Sequence, residues 1–381
     1  MSNTEAKPKR SSQGQLVLWD GMKFSTFLKL LSLKPSLHWT RAIRILSLPG
    51  FCAYNSFMAR VENLLYGKKI RETEIMNPPI FILGYWRSGT TLLHNLMTLD
   101  PRFTYPNLYQ TVFPWHFLTT EKVFTTMTAW MVPKSRPMDN VAVSWDAPQE
   151  DDVALCAMCL VSPYMLLARP FDLEYWRRSF NIDDLPEDER HAWEDSITLL
   201  MKKVTVRDGK PLILKSPAHT YRIKPILRLF PEARFVYIHR NPYDVFNSSI
   251  HLRHTMIEEN TLGKAVHPNI ENSVIDTYLE AFHAYERDRQ LIPEGRLTEV
   301  GYQDLVNDPM AEMERIYGDL DLGGFEEVRK RLEPQLEELK RYQKNKFQPS
   351  SHWKREVYNR CREMYERFGY PPPSESETAA A

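Results

Sequence analysis

The sequence predicts an α/β fold in which a central parallel sheet is flanked by helices. Three short apolar runs, Ile80 to Leu83, Leu212 to Leu214 and Phe235 to Ile238, each precede a longer helical pattern, at 90–99, 219–229 and 242–254. Such alternation is what parallel strands joined by helical crossovers produce. A fourth run, LTEV ending at Val300, precedes a helix that begins near Pro309. No internal repeat is present, and no Gly- or Ser-rich linker marks a second folded domain.

Taken in chain order, residues 1–15 are polar and lack the apolar stretch and cleavage site of a secretory signal. They and PPPSESETAAA at 371–381 are expected to be disordered, since such composition cannot offset the entropy of ordering. From about residue 20 to 70 the pattern is helical, with breaks expected at Pro35 and at Pro49–Gly50. This gives an N-terminal helical extension over 1–76 and a main domain over 77–370. Within 22–34, Phe24, Phe27, Leu28 and Leu31 fall at i, i+3, i+4 and i+7, with Lys23 and Lys34 off the stripe. Such a helix suits peripheral contact with a membrane surface. Packing against the domain is the commoner use of the pattern.

Composition narrows the function. The 381 residues carry 49 Lys plus Arg against 49 Asp plus Glu, which argues against a basic coat and hence against a nucleic-acid partner. Four cysteines, at 52, 156, 159 and 361, are too few and too scattered for a disulfide framework, so a reducing, cytoplasmic setting is expected. No apolar run approaches the roughly 20 residues that span a bilayer. Cys156 and Cys159 lie in an apolar helix pattern without a second ligand pair, so buried thiols are expected there rather than a metal site. The charge run from Glu326 to Lys346 reads as a solvated helix.

The stretch PPIFILGYWRSGTTLLHNLM, at 78–97, runs from an apolar strand through a glycine-bounded turn into a helix. Gly84 and Gly89 allow a tight turn and close approach of a ligand, and the amides at the helix start point at an anion. Arg87 adds a fixed positive fork, and Ser88, Thr90 and Thr91 add hydroxyls. The GxxxxG spacing is that of a Walker A loop, but Thr90 stands where the phosphate-binding lysine belongs. A second segment, ARFVYIHRNPYDVFNSSI at 233–250, again joins a strand to a helix, with Asn241 as cap and Pro242 in the first turn. It places Arg240 at a strand's carboxyl end and Ser248 eight residues on, where both could hold one phosphate. Alternatively Arg240 pairs with Asp244 and Ser248 is a solvated helix residue.

Together these segments resemble the two cofactor-binding motifs of sulfotransferases that use 3'-phosphoadenosine 5'-phosphosulfate (PAPS). The resemblance covers about 77–320, with KSPAH at 215–219 between the motifs and YQDLVNDP at 302–309 after them. It implies a P-loop-like three-layer fold and transfer of a sulfuryl group from PAPS to a hydroxyl or amine, with no metal. It implies that Arg87, Ser88, Gly89, Thr90 and Thr91 hold the 5'-phosphosulfate, and that Arg240 and Ser248 hold the 3'-phosphate. Arginine at 87, where many cytosolic relatives carry lysine, is similar to tyrosylprotein and bacterial-type members. The acceptor class, whether small molecule, glycan or lipid, stays open.

Two further residue sets bear on the chemistry. Lys215, at the end of LILK, would touch the sulfuryl oxygens. For the general base two candidates stand. His219 has a suitable reference pKa but lies four residues past the lysine, where the cytosolic pattern places the base two residues past it. Glu150 belongs to WDAPQEDD, whose clustered carboxylates can raise one another's pKa, although the run also reads as a solvated helix N-terminus. Tyrosylprotein sulfotransferases place a glutamate after the first helix, where this chain has Gln110, which cannot take the proton as a carboxylate would. Tyr105, Tyr109, Phe113, Trp115 and Phe117 suit either an acceptor pocket or core packing. A P-loop kinase would need a magnesium-binding carboxylate at a strand end, where FVYIHR has His239 and Arg240. A non-catalytic nucleotide-binding or membrane-surface module is the alternative of another class.

Overall fold

The computed structural model describes residues 18–128, 144–170, 172–264, 269–341 and 350–373. The expected disorder at 1–15, the tail from 374 and the charge run beyond 341 lie outside the described residues. In chain order come α1 (Phe24–Ser32), α2 (Ala42–Glu72), β1 (Ile80–Leu83), α3 (Thr90–Met97), α4 (Leu108–Val112), α5 (Phe117–Thr128), α6 (Asp151–Cys159), α7 (Leu173–Arg177) and α8 (Glu187–Asp208). There follow β2 (Ile213–Lys215), α9 (Ile223–Leu229), β3 (Arg234–His239), α10 (Pro242–Asn260), α11 (Glu271–Asp288), β4 (Leu297–Gly301), α12 (Tyr302–Asn307), α13 (Pro309–Asp319), α14 (Phe325–Arg341), α15 (Ser351–Arg360) and α16 (Arg362–Phe368).

The four strands form one parallel sheet in the order β2-β1-β3-β4. Period-two alternation sends Phe81, Leu83, Leu214, Phe235 and Tyr237 to one face, against Trp193, Ile197, Ile223 and Ile226. Ile80, Ile82, Ile213, Val236, Ile238 and Val300 go to the other face, against Leu93, Met97, Met313 and Ile316. Both faces are therefore covered by helices, as a parallel sheet requires, and the architecture is three-layered.

Two local readings need correction. The helical pattern at 219–229 divides into a 3-10 turn, Pro217–Tyr221, and then α9. A continuous helix would drive the Pro225 ring against the Tyr221 carbonyl, whereas within the first turn of α9 proline is tolerated. Conversely, Pro49 does not break the N-terminal pattern, since α2 runs straight through it. An interior proline costs about 3 kcal/mol. The inward face of α2 outweighs it by burying Leu48, Cys52 and Ile70. The first two of these join Trp19, Phe27 and Leu30 in a cluster that also holds Phe246 and Ile257 of α10, Tyr278 of α11 and Met364 of α16. The N-terminal helices thus share a core with the helices around the sheet. All four cysteines are free and buried, and burial pushes the thiols of Cys52 and Cys361 up to about 12.

A buried ion pair ties α2 to α8: Lys203 Nζ lies 2.6 Å from Glu62 Oε1, with both side chains at most 3% exposed. Lys203 also donates to the Pro114 carbonyl. Burial lowers the lysine to about 8 and raises the glutamate. Removing one partner leaves the other charge uncompensated, so Glu62→Ala is expected to lower the unfolding free energy by about 3–5 kcal/mol in urea titrations. Glu62→Met combined with Lys203→Met should recover most of that loss, because neither charge then remains buried.

Candidate active site

All four strands end at the same edge of the sheet. The chain leaving β1 travels to β2 on one side, and the chain leaving β3 travels to β4 on the other. The crevice between their outlets is where open α/β sheets bind ligands, and the glycine-bounded turn and Arg240 both emerge there.

The turn from 84 to 89 is shaped by three residues in the left-handed region, Gly84 (φ 141°), Arg87 (φ 72°) and Gly89 (φ 111°). A Cβ at Gly84 would lie 2.6 Å from the Ile238 carbonyl oxygen, and one at Gly89 would lie 2.4 Å from the Tyr302 ring. Glycine is thus required by contact with β3 and with the segment after β4, as well as by φ. The Ser88 amide and hydroxyl both donate to the Tyr85 carbonyl, at 3.1 and 2.8 Å, and the Gly84 amide donates to Thr220 Oγ1 at 2.8 Å. Helix α3 opens directly after Gly89, and its first-turn amides, which have no acceptor within a helix, face out of the turn. Thr90 is buried and Thr91 half-buried at this end.

The second motif meets the first. Arg87 Nε donates to Ser248 Oγ at 2.7 Å, joining the turn to α10 across 161 residues of sequence. Arg240 donates to the Arg87 carbonyl at 3.3 Å and to Asp244 at 3.2 Å, and its guanidinium lies 4.3 Å from the centre of the Tyr302 ring. Its Nε is buried without an acceptor among the described residues. The pairing with Asp244 considered from the sequence does form, but Asp244 is largely exposed and contributes little.

The third strand outlet is organised by the acidic segment. Glu150, Asp151 and Asp152 each take a partner from the end of β2 or the chain just after it. Lys215 Nζ donates to Glu150 Oε1 at 2.8 Å, His219 Nε2 lies 2.8 Å from Asp151, and Arg222 donates to Asp152 at 3.0 Å. Tyr164 OH donates to the other Glu150 oxygen at 2.5 Å, and Ser216 to Asp152 at 2.6 Å. Asp151 and Asp152 are fully buried, so the run is not a solvated helix N-terminus. His219 is also fully buried, with its ring edge against Phe81, whereas the Glu150 side chain keeps 13% exposure. Lys215 is paired in register beside Ile82 of β1, one strand over from the turn.

Asp151, Asp152 and His219 stand close enough to share a metal ion. Both oxygens of Asp152 already accept from Arg222, so that carboxylate is neutralised by a guanidinium. The aromatics flagged near the first helix mostly pack: Tyr109, Phe113 and Phe117 are buried in the cluster that contains Trp145, and Tyr109 and Trp145 are 5.6 Å apart edge to face. Trp115 is half-buried under the Lys23 ammonium. Gln110 completes a capping box with Asn107 and donates to Glu121, a structural use.

Sequence reasoning did not find Tyr164, Ser216, Arg222 or Thr220, nor the partner of Asp152. A signal was present: Lys215, His219 and Arg222 fall at i, i+4 and i+7, opposite three consecutive acids.

A glycine-bounded turn, a strand-end arginine and a paired lysine at one sheet edge form a crevice that could hold a polyanion. The family model described as the sulfotransferase family matches residues 78–327. The chain belongs to the sulfotransferase family. Relatives in Mycobacterium bovis (strain ATCC BAA-935 / AF2122/97) and Mycobacterium tuberculosis (strain CDC 1551 / Oshkosh) are called omega-hydroxy-beta-dihydromenaquinone-9 sulfotransferase Stf3. Each is 33% identical over 354 residues, which is 93% of this chain and 91% of the relative. Among solved structures, sulfotransferase STF9 from Mycobacterium avium has a TM-score of 0.61 at 19% identity, covering 82% of this chain and 81% of its own. Sulfotransferase STF1 from Mycobacterium tuberculosis has a TM-score of 0.61 at 16% identity, covering 88% and 89%. These two likenesses show a shared fold. This sulfotransferase is therefore an α/β enzyme that transfers a sulfuryl group, as its sequence motifs implied.

Proposed function

We propose that the sulfuryl donor is PAPS and that the acceptor is a hydroxyl carried on a lipid-like molecule. The observation that carries the donor reading is the Arg87–Ser248 hydrogen bond, which joins the two phosphate motifs in one crevice, with the orphaned Arg240 Nε beside it. A phosphate oxygen is the natural acceptor for that buried N–H. Arg87, Ser88, Gly89, Thr90 and Thr91 would hold the 5' end, and Arg240 and Ser248 the 3'-phosphate. When bound, PAPS supplies the SO3 group and leaves as adenosine 3',5'-bisphosphate.

Arg87 and the α3 amides stabilise negative charge at the turn without a metal. Of the two base candidates, Glu150 is the better supported, since it alone retains access to solvent. It takes the acceptor's hydroxyl proton on Oε1, the oxygen that faces Lys215, while Tyr164 fixes the other oxygen. Lys215 would be released from Glu150 to face the sulfuryl oxygens. His219, sealed against Asp151, is a positioning residue that anchors α6 to the chain after β2.

The acceptor reading follows the relatives, whose name specifies a hydroxylated menaquinone. Among the described residues no helix is long and apolar enough to cross a membrane. A cytoplasmic enzyme in peripheral contact with a membrane through residues 22–34 fits the exposed Phe24, Leu28 and Leu31 of α1, while Phe27 and Leu30 on the same helix are buried. The test is incubation of PAPS, without magnesium, with separate pools of hydroxylated lipids, phenols, glycans and amines. Adenosine 3',5'-bisphosphate is expected with the lipid alcohols. Its release with another pool alone refutes the acceptor, and its absence with every pool refutes the donor.

A further inference from the structure

Helix α2 carries apolar side chains on two opposite faces, and the fold buries one of them. Leu48, Cys52 and Ile70 point inward. Ile43, Leu46, Tyr54, Phe57, Leu64 and Leu65 lie within about 60° of a single line along the other side, at 3.6 residues per turn. They are between 49% and 89% exposed. A surface helix normally turns its second face to water with polar side chains, and an exposed apolar strip of this length marks a binding surface.

Charge selects the occupant. Exposed Arg60 and Arg71 border the strip on one side, exposed Lys69 borders it on the other, and exposed Lys68 lies at its C-terminal end. Glu72 is the acidic exception there, in an i, i+4 pair with Lys68. Residues 18–76 hold nine Lys or Arg against four Asp or Glu, in a chain whose total is balanced at 49 each. A two-fold contact between copies would set this patch against itself and bring like charges together. Anionic headgroups instead complement the basic borders while the apolar strip enters the acyl boundary.

We propose that the outward face of α2 is a docking surface for an anionic lipid bilayer, on which the helix lies flat. The face of α1 that exposes Phe24 and Leu28 belongs to a helix packed beside α2, tied to it by the Phe24 amide donating to Ser56. The inference does not depend on the sulfuryl-transfer reading, because docking is measured without donor, acceptor or turnover.

The full chain is floated with vesicles of phosphatidylcholine alone and of phosphatidylcholine with phosphatidylglycerol, at low and high salt. Wild type is expected to float with the anionic vesicles, and raising salt should release part of it. Leu46→Glu/Phe57→Glu/Leu64→Glu is expected to reduce the bound fraction about tenfold or more, given the apolar area removed. Lys68→Gln/Lys69→Gln/Arg71→Gln should lose the preference for anionic vesicles several-fold. Should the triple glutamate chain lose its near-UV circular dichroism, Leu64→Glu alone carries the same expectation, since Leu64 is 85% exposed and makes no core. Failure of wild type to float, or undiminished flotation of a folded glutamate variant, overturns the proposal. So does a concentration-dependent dimer in sedimentation that the glutamate variant abolishes while wild type ignores both vesicles, which would assign the face to a second copy.

Discussion

Arg87→Ala is expected to unfold at the wild-type urea midpoint and to lose about 10²–10³ in kcat/KM, the scale on which a group aimed at developing charge is felt. The two effects separate because the arginine's partners belong to the site. Its Nε reaches Ser248, and its backbone already sits at φ 72°, a left-handed conformation that a side chain occupies at a cost. Arg87→Gly should be equally inactive and no less stable, since glycine adopts that conformation without strain. Arg87→Lys keeps the charge but loses the planar fork, so an intermediate rate is expected. Unchanged turnover in Arg87→Ala would remove the residue from the machinery and the turn from the donor site.

Glu150→Gln is the second large effect, a fall of about 10²–10⁴ in kcat if the carboxylate is the base. The amide keeps the size of the group and a polar contact with Tyr164, but it accepts no proton. Because Lys215 is nearly fully buried, removing its counter-charge also costs stability, so turnover is to be compared well below the unfolding transition. His219→Asn should behave differently, with a loss of stability from stranding Asp151 and an acid limb of the pH–rate profile that stays where wild type has it. A flattened acid limb in His219→Asn, with near-normal turnover in Glu150→Gln, would exchange the two roles. If neither variant loses more than a few-fold, the base lies elsewhere.

Strands and turns were legible because their signals are local. The apolar runs at 80–83, 212–214 and 235–238 needed only composition and spacing to place, and the structure moves their ends by about a residue. The glycine-bounded turn and the strand-end arginine, which the structure brings together, were legible because glycine spacing and strand-end placement are written in short stretches. The carboxylate partners were not, since the pairing of Glu150, Asp151 and Asp152 with Lys215, His219 and Arg222 joins segments about 65–70 residues apart. The continuity of α2 across Pro49 escaped for a related reason. Local propensity favours a break there, and only the buried side of the helix, packed on α1 and tied by Glu62–Lys203 to α8 about 140 positions away, outweighs it.

The contact of Gly89 and Arg240 with Tyr302 reaches into how the enzyme assembles. The crevice has no finished wall until the outlet of the fourth strand has docked, and that strand lies more than 200 residues past the glycine turn. Closing so large a loop is a slow, non-local step, so competence to bind donor should arise with the last cooperative folding event and should not precede it. A ligand held there grips chain from residue 84 to residue 302, and its binding free energy is added to unfolding of the whole sheet. Nascent or truncated chains that end before the fourth strand would then carry both phosphate motifs intact in sequence and have no working site.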